Sequence, residues 1–369
     1  MRYRVITTAV PFLSINTNAQ AMGSGCVGVV ASDLYMQNGL DQNPALLSRG
    51  KKVFGVQSIN YSPWLRGLGV NDVYLAESGC HYSLNKNNAI GFSARYFNLG
   101  SIQMTDQAGQ ASGTLNPNEF AIGLKYAHNF TLGFSIGGGI KYVHSDLTGS
   151  MVTFNTEPGQ VVVGDFGIDF RRNLVQTDNY ILRWNAGLSI LNMGNKISYT
   201  DGFRDFLPQT MKIGTLFTAS RKLLNQNSFE FDFSYQADKM LVPTPSSQIN
   251  GSKNPSSLQG AVQSFYDAPD GFKEEMQEIM HQFGTESRLF LAENKMIIAL
   301  RGGYVNEHRN KGNRKYATLG CGFGFSGFRF DFAYWIPTQA NHPLANTFSL
   351  NLGGRFNLDK DNFFRFSEH

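Results

Sequence analysis

Residues 229–236 read FEFDFSYQ, an aromatic at every odd position and a polar residue at every even one. Successive side chains of a strand point to opposite faces, so this segment has one aromatic face and one polar face. A soluble sheet turns such aromatics into a core. A membrane barrel turns them out to lipid and keeps the acids in a wet lumen. Similar alternation recurs at 90–96, 120–126, 134–142, 166–170, 182–190, 328–336 and 348–356. It is weaker near 53–61, 72–84, 210–219, 283–292, 296–306 and 315–325, and 160–171 widens one of the clear segments. Together these predict fourteen strands, an even number as bacterial barrels require.

The connections decide between the two surroundings. Short ones at 85–88, 129–131, 293–295 and 326–327 alternate with long ones near 62–71, 106–118, 147–159, 193–209, 240–282, 307–314 and 337–346. Strands that run up and down between two different environments give that pattern, with short periplasmic turns and long external loops. Phe229, Phe231, Phe233 and Tyr235 are therefore expected to face lipid, with Phe120, Ile122, Phe328 and Phe330. Glu230 and Asp232 face the lumen. Composition agrees: 39 glycines and 30 phenylalanines with only 16% charged residues, and no run of about 18 apolar residues that would make a spanning helix.

The same parity puts Arg95, Lys125, Lys141, Asp165, Asp169, Arg183, Arg329, Asp331 and Arg355 inside. Rings of one sign would suit an ion-selective pore; both signs together imply internal ion pairs and an occupied lumen. Residues 1–50 lack alternation and are the expected plug, 51–356 the barrel and 357–369 a tail. Residues 1–21 carry the charged, apolar and small-residue regions of a short secretion signal. Thr7, Thr8 and Pro11 interrupt its apolar part, so the reading divides between cleavage near Ala21 and a signal missing upstream.

The loop at 240–282 departs from the strand pattern. Helices are predicted at 257–265 and 270–283, the second with Phe272, Met276, Ile279, Met280 and Phe283 on one face, Glu274, Glu275 and Glu278 opposite, and Asp270 as N-cap. Such a helix either covers the barrel mouth or binds a partner. The external loops also carry Trp64, Leu65, Leu241, Val242, Pro243, Phe265 and Pro343, which with Phe272 and Met276 are the candidate partner-binding groups.

Other motifs point away from catalysis. Gly23–Gly28 matches G-x-G-x-x-G but follows no buried strand, so no dinucleotide cofactor is expected. Cys26, Cys80 and Cys321 have no metal spacing, and the seven histidines show none either. The net charge of +4 is spread along the chain, which argues against a nucleic-acid partner. Asp165 and Asp169 share one face as a glycosidase pair would, but Lys141 and Arg171 stand to neutralise them.

Several phrases in order along the chain carry a family resemblance. They include Val10-Pro-Phe-Leu13, Asn43-Pro-Ala45, Tyr61-Ser-Pro-Trp-Leu65, Asn116-Pro-Asn-Glu-Phe120, Asn192-Met-Gly-Asn-Lys-Ile-Ser-Tyr199, Asp238-Lys-Met-Leu-Val-Pro-Thr-Pro245 and Lys311-Gly-Asn-Arg-Lys315. The chain resembles the PorV barrels of type IX secretion in Bacteroidota, within the wider FadL-like barrels. The resemblance implies an all-β, transmembrane antiparallel barrel in the outer membrane, with an N-terminal hatch around Asn43, Pro44 and Ala45 and a helical external loop. It implies no enzyme and no cofactor. It further implies a carrier that takes cargo proteins by their C-terminal signal domains at the type IX translocon. The cargo then passes to an attachment complex, where a sortase-like partner joins it to lipopolysaccharide. A FadL-like channel for small hydrophobic molecules is the alternative. Cys26 and Cys80 depart from the family's pattern.

Overall fold

The computed structural model describes residues 5–32, 40–49, 53–130, 133–149, 156–245, 255–292, 295–338 and 347–357. Pro343, most of the loop at 337–346 and residues 358–369 lie outside them.

The strands are β1 (Val53–Pro63), β2 (Tyr74–Ser83), β3 (Asn88–Asn98), β4 (Ile102–Thr105), β5 (Ala111–Leu115), β6 (Asn118–Asn129), β7 (Phe134–Asp146), β8 (Gly159–Gln176) and β9 (Tyr180–Gly194). There follow β10 (Ile197–Thr200), β11 (Phe203–Asp205), β12 (Thr210–Lys222), β13 (Ser228–Met240), β14 (Ile279–Leu291), β15 (Met296–Asn306), β16 (Lys315–Phe325), β17 (Phe328–Pro337) and β18 (Phe348–Asn357). Fourteen of them form one closed barrel in which β1 pairs with both β2 and β18. The remaining four make two hairpins, β4–β5 and β10–β11, within external connections that carry no strand alternation in the sequence. Among the described residues no helix is long and apolar enough to cross a membrane; the strands do the crossing.

Register follows the alternation. Phe229, Phe231 and Phe233 are exposed on the outside, while Asp232, Ser234 and Gln236 between them are buried inside. Ile122, Phe328 and Phe330 are likewise exposed, and Phe120 and Tyr235 are half-buried. A shift of one residue would have put Glu230, Asp232, Ser234 and Gln236 against lipid, which is why this register is strongly specified. Strand β8 runs on to Gln176, beyond the expected end.

The N-terminal residues fill the lumen. Val10, Phe12 and Leu13 pack under the external loops against Val73, Leu75, Phe97, Val143, Val163, Ile197 and Leu207, and the Ala9 amide donates to the Phe206 carbonyl at 3.0 Å. Helix α1 (Ala19–Gly23) follows, with the Asn18 side chain accepting from the Gln20 and Ala21 amides. Ala21, the residue at the expected signal boundary, is buried in it. The chain then crosses the barrel through Gly25 to Ser32, and a short turn, Pro44–Ser48, returns it to the wall.

The wall is bare where this chain touches it. A methyl on Gly303 would fall on the Gly25 amide, one on Gly284 on the Ser24 carbonyl, one on Gly187 on the Val29 carbonyl, and one on Gly167 on the Asn43 side chain. Glycine within a strand marks such close backbone approach. Part of the high glycine count is thus a mould of the plug.

Candidate functional site

Charged side chains lock plug to wall. Arg95 on β3 bonds Glu77 at 2.6 Å and Asp41 at 3.3 Å, and its other amino group donates to the carbonyls of Phe12, Leu13 and Ile15. Arg49, from the plug, pairs with Asp169 and donates to the Ala31 carbonyl. Asp165 sits between Lys125 at 3.2 Å and Lys141 at 3.0 Å. Lys141 and Arg171 were the groups expected to neutralise this pair; Lys141 does so at Asp165, and the plug adds Arg49 at Asp169. Asp165 and Asp169 are thus both bound in ion pairs. On the opposite wall Arg288 meets Glu230, Asp232 and Glu286, and Arg301 joins Glu286 to Asp331. Arg329 also reaches Asp331, whereas Arg183 and Arg355 are only half-buried.

The Gly23–Gly28 stretch has a mechanical role. The Gly25 amide donates to Thr318 Oγ1 at 2.9 Å, and the Gly28 and Val29 amides donate to Gln236 Oε1 at 2.8 and 2.9 Å. Asn43 caps the following turn through the Ala45 amide, and its Nδ2 donates to the carbonyls of Val29 at 2.8 Å and Ile168 at 3.0 Å. Pro44 and Ala45 are fully buried beside Gly137. The three cysteines are free thiols: Cys26 is buried near the Tyr316 hydroxyl, Cys80 half-buried and Cys321 exposed.

Above the plug lies the helical loop, with α2 (Ser257–Gln263) and α3 (Phe272–Gln277). The second helix is shorter than expected. Its N-cap is Gly271 and not Asp270, and Ile279, Met280 and Phe283 belong to β14. Its faces are also reversed relative to ordinary amphipathic packing. Glu274, Glu275 and Glu278 are buried, whereas Phe272 is 79% and Met276 44% exposed. The cause is a clamp of two lysines. Lys239 bonds Glu275 at 3.0 Å and Glu278 at 2.7 Å; Lys311 bonds Glu274 and Glu278, each at 2.8 Å. Paired in this way, the carboxylates tolerate burial, and the apolar side is left outward. Helix α2 adds to that side: Gly260 and Ala261 face the barrel, while Leu258, Val262, Phe265 and Tyr266 are exposed.

The other candidate groups fall on both sides of the surface. Leu241 and Val242 are buried, and Pro243 abuts Gly260. Trp64 packs against both the cluster around Phe12 and that around Met22, with Trp335 edge-on to its ring at 5.7 Å. Leu65, in a left-handed turn at φ 57°, is half-buried. Leu258, Val262 and Tyr266 were missed. Their i, i+4 and i+8 spacing was legible, but nothing local says that this side faces out.

Burial pushes the Asp267 carboxyl up to about 6, with Glu275 and Glu278 adding to the rise against the Thr244 amide bond. The docked loop therefore takes up a proton between roughly pH 4 and 6 that the undocked loop does not, and docking tightens as pH falls through that window. Burial opposes ionisation of Glu278 too, but hydrogen bonds from Lys239, Lys311 and Thr244 hold it below its usual range. Its contribution is lost only at still lower pH. Trypsin cleavage after the exposed Lys273, normalised to a free peptide, is expected to be slower at pH 5 than at pH 7. Asp267→Asn should abolish the difference; an unchanged difference in that variant would assign it elsewhere.

A closed barrel with an aromatic outer face, a lumen of paired charges and connections sorted by length defines an integral outer-membrane protein. The family model described as type IX secretion system protein PorV matches residues 1–247, well over half of the 369. The chain belongs to the PorV family of the type IX secretion system. No curated protein matches it. Among solved structures it is similar to the toluene transporter TbuX of Ralstonia pickettii, at 11% identity and TM-score 0.47, covering 93% of this chain and 98% of that one. It is also similar to a FadL homologue of Pseudomonas aeruginosa, at 10% identity and TM-score 0.40, covering 95% and 96%.

Proposed function

We propose that this protein is a non-catalytic carrier in type IX secretion. It receives the C-terminal signal domain of exported cargo as this leaves the translocon and delivers it to the attachment complex, where a sortase-like partner joins it to lipopolysaccharide. The observation that carries this reading is the set of outward apolar groups Leu258, Val262, Phe265, Tyr266, Phe272 and Met276 in the helical loop, the last two on the helix that the charge clamp holds. Large exposed apolar groups held on a rigid support suit protein recognition. Residues 1–50 act as a hatch around Asn43, Pro44 and Ala45, so cargo does not pass through this barrel. Leu65 and Pro243 belong to the same mouth, and Trp64, Leu241 and Val242 support it from beneath.

The alternative of a channel for small hydrophobic molecules needs an apolar pocket beside the hatch. The cavity there, about 30 Å³, is lined by Asp232, Glu286, Gln20 and Ser234 as well as Val27 and Leu216, too small and too polar for such a ligand. Replacing Phe272 and Met276 together by alanine is expected to leave a heat-modifiable barrel in the outer membrane while cargo accumulates in the periplasm, with surface display down about tenfold or more. Normal display from the folded double variant would refute the proposed docking role of these groups.

A further inference from the structure

The opposite rim holds a second surface, independent of the cargo reading. Pairing of β7 with β8 ends at Phe134 and Phe170, and a methyl on Gly133 would strike the Arg171 carbonyl. Strand β8 nevertheless continues to Gln176, about 20 Å further at 3.3 Å per residue. Arg172, Asn173, Val175 and Gln176 pair with Trp184, Arg183, Leu182 and Ile181 of β9, and β9 pairs onward with β12. Among the described residues the other edge of Arg172–Gln176 has no strand partner. The alternation of buried and exposed residues also stops here: every residue from Arg172 to Tyr180 is exposed. Beyond Arg171 the ribbon is therefore no longer barrel wall. It projects from the short-turn rim, which in such barrels is periplasmic.

Its chemistry is one-sided. Arg171, Arg172, Arg183, Arg221 and Lys222 stand against Asp178 alone in 171–184 and 220–228, and Leu174, Val175 and Leu224 are exposed among them. Unpaired strand edges are templates for another strand, and like charge on an edge guards against self-pairing. That guard is selective: a second copy of this ribbon is repelled, whereas an acidic strand is attracted.

We infer that the edge Arg172–Gln176 receives an extended acidic segment of a periplasmic protein as an added β-strand. Backbone hydrogen bonds supply the affinity in such additions, and the arginines select the sequence.

The test uses the full chain in zwitterionic nanodiscs and a fluorescent ten-residue probe alternating valine and glutamate. Controls are its lysine counterpart and a form N-methylated at alternate residues, which keeps the charge but cannot pair. The acidic probe is expected to bind, the two controls to bind at least about tenfold more weakly, and Arg172→Glu, at an exposed position, to weaken the acidic probe about tenfold while the barrel stays heat-modifiable. Equal binding of the N-methylated form would reduce the site to charge attraction and overturn the inference. So would equal binding of the lysine probe, or no binding at all. Loss of binding in nanodiscs of anionic phospholipid would assign the arginines to the membrane surface and likewise overturn it.

Discussion

Gly303→Val is expected to drive the plug from the wall and open Cys26 to maleimide. A side chain there would fall on the Gly25 amide and crowd the Phe283 carbonyl, and both neighbours are backbone. Gly25 itself is held at φ 66° and tied to Thr318, so it cannot yield without releasing that bond. Overpacking costs about 1–3 kcal/mol even where side chains adjust, and about 3 kcal/mol raises the undocked population roughly a hundredfold. With Cys80 and Cys321 replaced by alanine, Cys26 is the only thiol left, and its labelling rate reads that population directly. The outer face is untouched, so the barrel should stay heat-modifiable. A folded Gly303→Val protein whose Cys26 labels no faster than in the parent would show that plug and wall are not in register as described.

Arg95→Met is expected to cost about 3–5 kcal/mol, the usual consequence of leaving a buried charge without its partner. Glu77 and Asp41 lose their shared cation, and the carbonyls of Phe12, Leu13 and Ile15 lose their donor. The midpoint of the heat-modifiable transition in denaturant measures the loss. Glu77→Gln in the same chain should restore part of it, since Thr17 Oγ1, 2.5 Å away, can still bond the neutral side chain. If the single variant matches the parent, or the double variant is no better than the single, Arg95 is not the anchor of the plug.

These two positions also mark what the sequence can and cannot tell. Phe229 to Gln236 disclosed its register because lipid and lumen differ so sharply that one alternation fits and its shift does not. Lumen charges such as Asp165 and Asp331 followed from the same parity. Lys141 as a partner of Asp165 was legible as well, but Arg49 as a partner of Asp169 was not, because the two are brought together only by the path of the plug. The helical loop shows the limit most clearly. Periodicity located an amphipathic segment near Phe272, but Lys239 and Lys311 stand 33 to 39 positions from the glutamates they hold. No local pattern could therefore say which face turns inward. Strand β8 outran its expected end because a ribbon wet on both faces has no alternation to read. Gly303 and Gly284 were visible only as part of a high count.

The last strand bears on how the chain gets into this shape. β18 must find β1 across almost the whole sequence, and pairings of such separation are slow because the intervening chain must be ordered first. Ser349 of β18 donates to the Thr17 carbonyl at 2.7 Å, and Ser62 of β1 lies against Met22. Both sides of the seam therefore rest on one short early segment. That segment works as a mandrel: the sheet is wound around it, and sealing the cylinder becomes a local step between two strands already seated side by side.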